Sequence, residues 1–207
     1  MKLFKIKPPY IPPISAITLD HIQMLPIHPS HPISEDKYVY DLVTIDNKTY
    51  LMLKTLVMGY YPSVSIRQSI IQKEHLDVNA IVRTQDDWSS TFIFFLEPHK
   101  GDYSNFVGFE TDATNLYCKT TRNGSSSSAT IKPINQLPQE MYLRIRHRYA
   151  RDYVRFFLND ELVCQFTENI PDQPLEINAI EPKGGIKTRY LRTPPGIFLG
   201  YPYRRWW

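Results

Sequence analysis

Glu110-Thr111-Asp112 sets two carboxylates two residues apart. On a strand that spacing aims both side chains at one face. Two carboxyls about 5–5.5 Å apart are what a retaining glycosidase uses as nucleophile and acid. No further acid follows, because Thr114 and Asn115 stand where the next one would fall. The couple therefore reads as a polar strand end running into a turn, and not as a cutting dyad. Asp86-Asp87 is a second acidic couple. If loops brought the two couples together, Asp86, Asp87, Glu110 and Asp112 would offer Ca²⁺ the oxygen ligands it prefers. His28 and His31, with His21 nearby, lie in a stretch that prolines hold extended, and they read as a fortuitous group rather than a metal site. The sequence has no G-x-G-x-x-G, P-loop, H-E-x-x-H or G-x-S-x-G.

These residues need strands to position them. From Tyr38 onward the chain is a series of short runs rich in β-branched and aromatic residues, broken by turn chemistry. Strands are predicted near 38–45, 49–58, 63–71, 76–84, 90–97, 104–111, 115–121, 128–133, 140–148, 152–159, 161–168, 174–181 and 196–201. Asp46-Asn47 and Asn159-Asp160 are hairpin turn residues, and TRNGSSSSAT reads as a polar loop between strands. In MYLRIRHRY, Met141, Leu143, Ile145 and His147 alternate with Tyr142, Arg144, Arg146 and Arg148, which assigns one core face and one face carrying three guanidiniums. Val154, Phe156 and Leu158 alternate in the same way with Tyr153, Arg155 and Phe157. The arginine stripe is either a solvated sheet face or a dock for an acidic partner. No window has a helical period, so the prediction is an all-β sandwich, jelly roll or barrel.

Seven of the seventeen prolines fall within residues 1–36, among apolar side chains such as Tyr10, Ile11, Ile14 and Ile17. Proline excludes a helix or a central strand there, and the apolar content excludes a solvated tail. The organisation is thus an extended Pro-rich arm (1–36), a β-sandwich domain (37–201) and an aromatic, basic tail (202–207). At 207 residues such a chain buries roughly 70% of its unfolded surface without staples. The net charge of +3 gives no support to a nucleic-acid role, although both ends are basic. Those ends either keep the tails soluble or favour an acidic partner surface. Cys118 and Cys164 lie in strand-like runs and read as buried free thiols rather than a bridge. No apolar run approaches the roughly 18–20 residues of a membrane span. The first residues lack the apolar core of a secretory signal. Location is left open, with a virion or cell surface as the expectation. Asn47-Lys48-Thr49 and Asn123-Gly124-Ser125 fit the glycosylation sequon.

Residues 142–182 resemble the concanavalin A-like lectin/glucanase superfamily, especially the laminarinase-like glycoside hydrolases. The matching pieces are Val154–Phe157, the Asn159-Asp160 turn, Leu162-Val163, and Asn169-Ile170-Pro171 with Pro174; upstream, residues 105–124 look like the preceding strand and hairpin. His147 stands where a tryptophan is often found. The resemblance implies a concanavalin A-like jelly-roll β-sandwich, often calcium-binding. It also implies an E-x-D-x-E or E-x-D-x-x-E catalytic strand, of which only Glu110 and Asp112 are present, so a glycoside hydrolase is not expected.

Two readings remain. The first is a non-enzymatic structural subunit of a virion, surface layer or filament, working as a homo-oligomer or with other structural subunits. Its interface would use Tyr10, Ile11, Ile14 and Ile17 of the arm and Arg204, Arg205, Trp206 and Trp207 of the tail, residue types found in strand addition and interface anchors. The alternative is a carbohydrate-binding module that holds a glycan with Tyr60, Tyr61, Trp88, Tyr103 and Asn105.

Overall fold

The computed structural model describes residues 22–25, 38–56, 63–66, 76–89, 91–98, 102–148, 152–173, 175–182 and 188–192. They form fourteen strands: β1 (Ile22–Leu25), β2 (Tyr38–Ile45), β3 (Lys48–Thr55), β4 (Ser63–Ile66), β5 (Leu76–Thr84), β6 (Thr91–Glu97) and β7 (Phe106–Thr111), then β8 (Asn115–Arg122), β9 (Ser125–Pro133), β10 (Glu140–Arg148), β11 (Tyr153–Leu158), β12 (Glu161–Phe166), β13 (Glu176–Pro182) and β14 (Thr188–Arg192). One sheet has the order β1-β4-β13-β6-β7-β8-β9 and the other β12-β11-β10-β5-β14-β3-β2, every pairing antiparallel. The architecture is a β-sandwich, one of the all-β forms that the pattern of short strands allows.

Three hairpins close in two residues with positive φ at both: Asp46-Asn47, Asn123-Gly124 and Asn159-Asp160. Turns of that hand match the twist of the flanking strands, and they need Asn, Asp or Gly. The second corrects one expectation. TRNGSSSSAT is not a loop, because β8 runs to Arg122, the turn is Asn123-Gly124, and the serines open edge strand β9. Two more strands differ from the sequence reading. β1 lies inside the proline-rich stretch and pairs along the edge of its own sheet, where a strand flanked by prolines is tolerated. β14 is central, between β3 and β5. The strand predicted at 196–201 lies outside the described residues.

The core fills the space between the sheets with Leu51, Leu53, Val78, Ala80, Val82, Phe94, Leu96, Val107, Phe109, Met141, Leu143, Ile145, Val154 and Phe156. Phe109 and Phe156 meet edge to face across it, with centroids 5.2 Å apart. The alternation predicted for β10 is observed, since Met141, Leu143, Ile145 and His147 are buried while Tyr142, Arg144 and Arg146 are half-buried; in β11 it holds from Val154 to Leu158, but Tyr153, expected on the outer face, is buried as well. Phe109 points inward, so its neighbour Gly108 and the cross-strand residue Phe95 point outward, where Phe95 stacks on Phe106 at 5.5 Å.

The expectation of free thiols is also corrected. Cys118 on β8 and Cys164 on β12 form a disulfide that joins the two sheets. Strand packing brings together residues 46 positions apart, which neither sequence run reveals alone. Alkylation of the unfolded, unreduced protein is therefore expected to label neither cysteine, and labelling of both would contradict the bridge.

Candidate functional site

One end of the sandwich is built by three connections: β5–β6 (85–90), β7–β8 (112–114) and β9–β10 (134–139). The first is held from below by Arg189. Strand β14 aims this side chain into the sandwich beside Leu191, and it is completely buried. Its Nη1 donates to Thr84 Oγ1 at 2.8 Å and to the Thr188 carbonyl at 3.0 Å. Its Nη2 donates to the Asp87 carbonyl at 2.6 Å and to Thr91 Oγ1 at 3.2 Å. Asp86 Oδ2 lies 3.7 Å away, and the guanidinium sits over the Trp88 ring at 5.5 Å. Burial pushes the Arg189 pKa down to about 10, against the opposing pull of Asp86 and Asp87.

The rest of the loop is tied as tightly. The Thr188 N–H donates to Asp86 Oδ2 at 2.7 Å, and the Ser89 N–H donates to Asp87 Oδ1 at 2.7 Å. Thr111 Oγ1 donates to the Trp88 carbonyl and accepts from the Thr91 N–H. Trp88 Nε1 donates to the Pro138 carbonyl at 2.9 Å, and the Thr84 N–H to the Gln139 carbonyl at 2.9 Å. Above this floor opens a cavity of about 230 Å³ lined by Thr84, Asp86, Asp87, Trp88, Ile134, Asn135, Leu137 and Gln139. Asn135 and Gln139 are exposed, and their side-chain amides make no hydrogen bond among the described residues. The cavity thus has a mainly apolar wall that includes Trp88, Ile134 and Leu137, and Asp86, Asp87, Asn135 and Gln139 are polar residues at its lining.

The residues singled out from the sequence are dispersed. Trp88 is only 3% exposed. It forms the floor of the cavity and is not an exposed stacking platform, because its indole is consumed by Arg189 and Pro138. Tyr103 and Asn105 stand at the opposite end of the sandwich, in the β6–β7 connection. Tyr103 is exposed. Asn105 is buried and acts as a clip: its amide nitrogen donates to Asp102 Oδ2 at 3.2 Å, and its oxygen accepts from the Asn123 N–H at 3.1 Å. Tyr60 and Tyr61 lie outside the described residues, as do Tyr10, Ile11, Ile14, Ile17, Arg204, Arg205, Trp206 and Trp207.

The four proposed calcium ligands do not converge. Among the described residues no three acidic, histidine or cysteine side chains form a metal-sized group. Asp86 and Asp87 serve the cavity loop. Glu110 points out of the sheet and pairs with Lys119 at 3.2 Å, and its backbone neighbours across the ladder are Phe92 and Tyr117. Asp112 turns the β7–β8 corner, where it accepts from the Thr114 N–H at 2.6 Å, the Asn115 N–H at 2.7 Å and the Tyr117 hydroxyl at 2.8 Å. Those three donors, the Thr114 N–H foremost, hold its pKa far below the usual carboxylate range. A depressed folded-state pKa adds stability that is complete above the unfolded value and is lost as pH falls. Asp112→Asn is therefore expected to lower stability by a constant amount above pH ~5, with the gap from wild type closing towards pH ~2. A gap unchanged by pH would contradict the assignment.

No protein-family model and no curated protein matches this sequence. Many solved structures match its fold. The T. cruzi calreticulin globular domain aligns at 13% identity over 84% of each chain, with a TM-score of 0.53. A botulinum neurotoxin type C, which depends on interaction with two ganglioside molecules to get into cells, aligns at 11% identity and a TM-score of 0.52; the match spans 83% of this chain and 41% of the toxin chain. An alginate lyase aligns at 7% identity over 70% of this chain and 73% of the other, with a TM-score of 0.50. What these structures share with this chain is the fold, a sandwich of two antiparallel β-sheets. At these identities the likeness carries the fold alone, and fold does not fix activity.

Asn135, Gln139 and Arg189 were missed by sequence reasoning. Asn135 and Gln139 lie in a turn whose neighbours in space are 50 residues away in sequence. Arg189 reads as one more base of the basic C-terminal end; the only signal was the alternation of Arg189 and Leu191 against Tyr190 and Arg192.

Proposed function

We propose that the chain is a non-enzymatic, lectin-like module that holds one neutral sugar ring in the cavity above Trp88. The observation that carries this reading is the composition of that cavity: the polar residues Asn135, Gln139, Asp86 and Asp87 beside a mainly apolar wall that includes Trp88. A ligand rich in hydroxyls needs such convergent donors and acceptors beside apolar surface. A volume of about 230 Å³ suits a single ring rather than an extended chain. The rim also favours a neutral sugar, since among the described residues the two carboxylates lie beside one buried guanidinium, Arg189, and would repel an acidic sugar. Cutting is not supported, because the carboxylates are engaged by Arg189, Thr188 and Ser89 and no further acid or histidine lines the cavity among the described residues.

The building-block reading rests on residues outside those described, and the structural comparisons give it no support. The test is a panel of immobilised neutral and acidic glycans probed with the wild type and with Asn135→Ala/Gln139→Ala. Removing both amides is expected to weaken binding to the preferred neutral glycan about tenfold or more. Equal binding by the variant, or binding of acidic glycans alone, would contradict the proposal.

A further inference from the structure

Two of the three tight hairpins carry a modification motif that the cavity does not use. Asn47-Lys48-Thr49 starts in the β2–β3 turn and Asn123-Gly124-Ser125 in the β8–β9 turn. No other asparagine of the sequence has serine or threonine two residues on. In both turns the asparagine and the hydroxyl residue are exposed. Neither carboxamide makes a hydrogen bond among the described residues; at Asn123 only the backbone N–H is used, donated to Asn105 Oδ1. The space around the second turn is open, since a Cβ added to Gly124 would meet nothing within 4 Å.

The third turn gives the contrast. Asn159 has the same positive φ, but its side-chain oxygen accepts from the Tyr142 N–H at 2.9 Å, and Glu161 stands two residues on. That asparagine is spent on the fold, whereas the other two are presented to solvent. The turns that present them lead into or out of outer strands: β2 is last in one sheet and β9 last in the other.

The disulfide is an independent observation that bears on the same motif. Cys118 and Cys164 are joined, and structural disulfides form and persist in oxidising compartments and are rare in the cytosol. The secretory route that supplies such a compartment is also where Asn-x-Ser/Thr is glycosylated on surface loops.

We infer that Asn47 and Asn123 are N-glycosylation sites, with a lipid-linked oligosaccharide diphosphate as the donor. In the transfer the carboxamide Nδ2 forms a bond to C1 of the first sugar and gives up one proton. The C1–O bond to the diphosphate breaks, and the lipid diphosphate leaves with the bonding pair, so nothing is oxidised or reduced. The attached sugars stand on the turns and are distinct from any sugar held above Trp88.

The test is mass spectrometry of unreduced peptides from the full chain, purified from the cells that make it, before and after release by peptide N-glycosidase. The expected result is a glycan on Asn47 and on Asn123, aspartate at both positions after release, an unmodified Asn159, and a cross-linked Cys118–Cys164 peptide. Thr49→Ala and Ser125→Ala keep the turn asparagines, which tolerate positive φ. Each is expected to lose the glycan of its own turn and to keep the other. Should a variant fail to fold, the wild-type peptides alone decide the matter. An unmodified asparagine at either turn, a glycan that survives loss of its hydroxyl residue, or free thiols at Cys118 and Cys164 would overturn the inference.

Discussion

Arg189→Leu is expected to lower the unfolding free energy by about 3 kcal/mol or more, read as a fall in the urea midpoint. The magnitude follows from what the guanidinium satisfies. Thr84, Thr91 and the Thr188 and Asp87 carbonyls accept from it. Thr84 and Thr91 are themselves buried, so no water replaces the lost donors. The Asp86 carboxylate also loses its nearest countercharge. Exchanging both members of a buried ionic pair for apolar groups is often tolerated, whereas removing one member strands the other. Arg189→Lys is expected to recover only part of the loss, because one ammonium cannot reach acceptors on both sides of the fork. A loss below about 1 kcal/mol for the leucine variant would show that the loop is held by other contacts.

Gly108→Val is the second large effect, with an expected loss of about 3 kcal/mol and a smaller one for alanine. No φ restriction is involved; the demand is for space. A Cβ at Gly108 would overlap the Phe95 Cβ, come within 2.8 Å of the Phe106 ring and lie 2.9 Å from the Phe94 carbonyl oxygen. The Phe95–Phe106 stack on the outer face exists because residue 108 has no side chain between the two rings. Relief requires moving backbone in the middle of a seven-stranded sheet, which a close-packed structure resists. An alanine variant as stable as wild type would mean that the strand can shift without penalty.

The sequence made some parts of this molecule legible and hid others for physical reasons. Strands buried on one face announce themselves by alternation, as Met141 to His147 and Val154 to Leu158 did, and hairpins are marked by residues that tolerate positive φ. β14 gave no such signal because its inward position holds an arginine, the residue type that period-two reading assigns to solvent. β9 hid in a serine run because an edge strand needs little apolar surface. The cavity was legible only as Trp88 and the neighbouring Asp86-Asp87 couple. Its other walls come from segments that meet through the sheet order, and Trp88 itself is covered by Arg189 rather than presented to solvent. The acidic couples were visible in the sequence, but their pairing with Lys119, Thr114, Asn115, Tyr117 and Arg189 is a matter of three-dimensional contact. Those contacts hold the two couples apart, so the four carboxylates form no common metal-sized group among the described residues.

Backbone and side-chain amide NMR of the full chain, titrated with the neutral glycan that binds best in the panel, tests the central claim most directly. The account predicts that the Asn135 and Gln139 side-chain amides, the Trp88 indole N–H and the backbone of residues 84–89 shift together and saturate with one dissociation constant. Shifts centred on Glu110, Tyr117 and Lys119, or on Tyr103 at the opposite end, with the Trp88 indole unmoved, would contradict it.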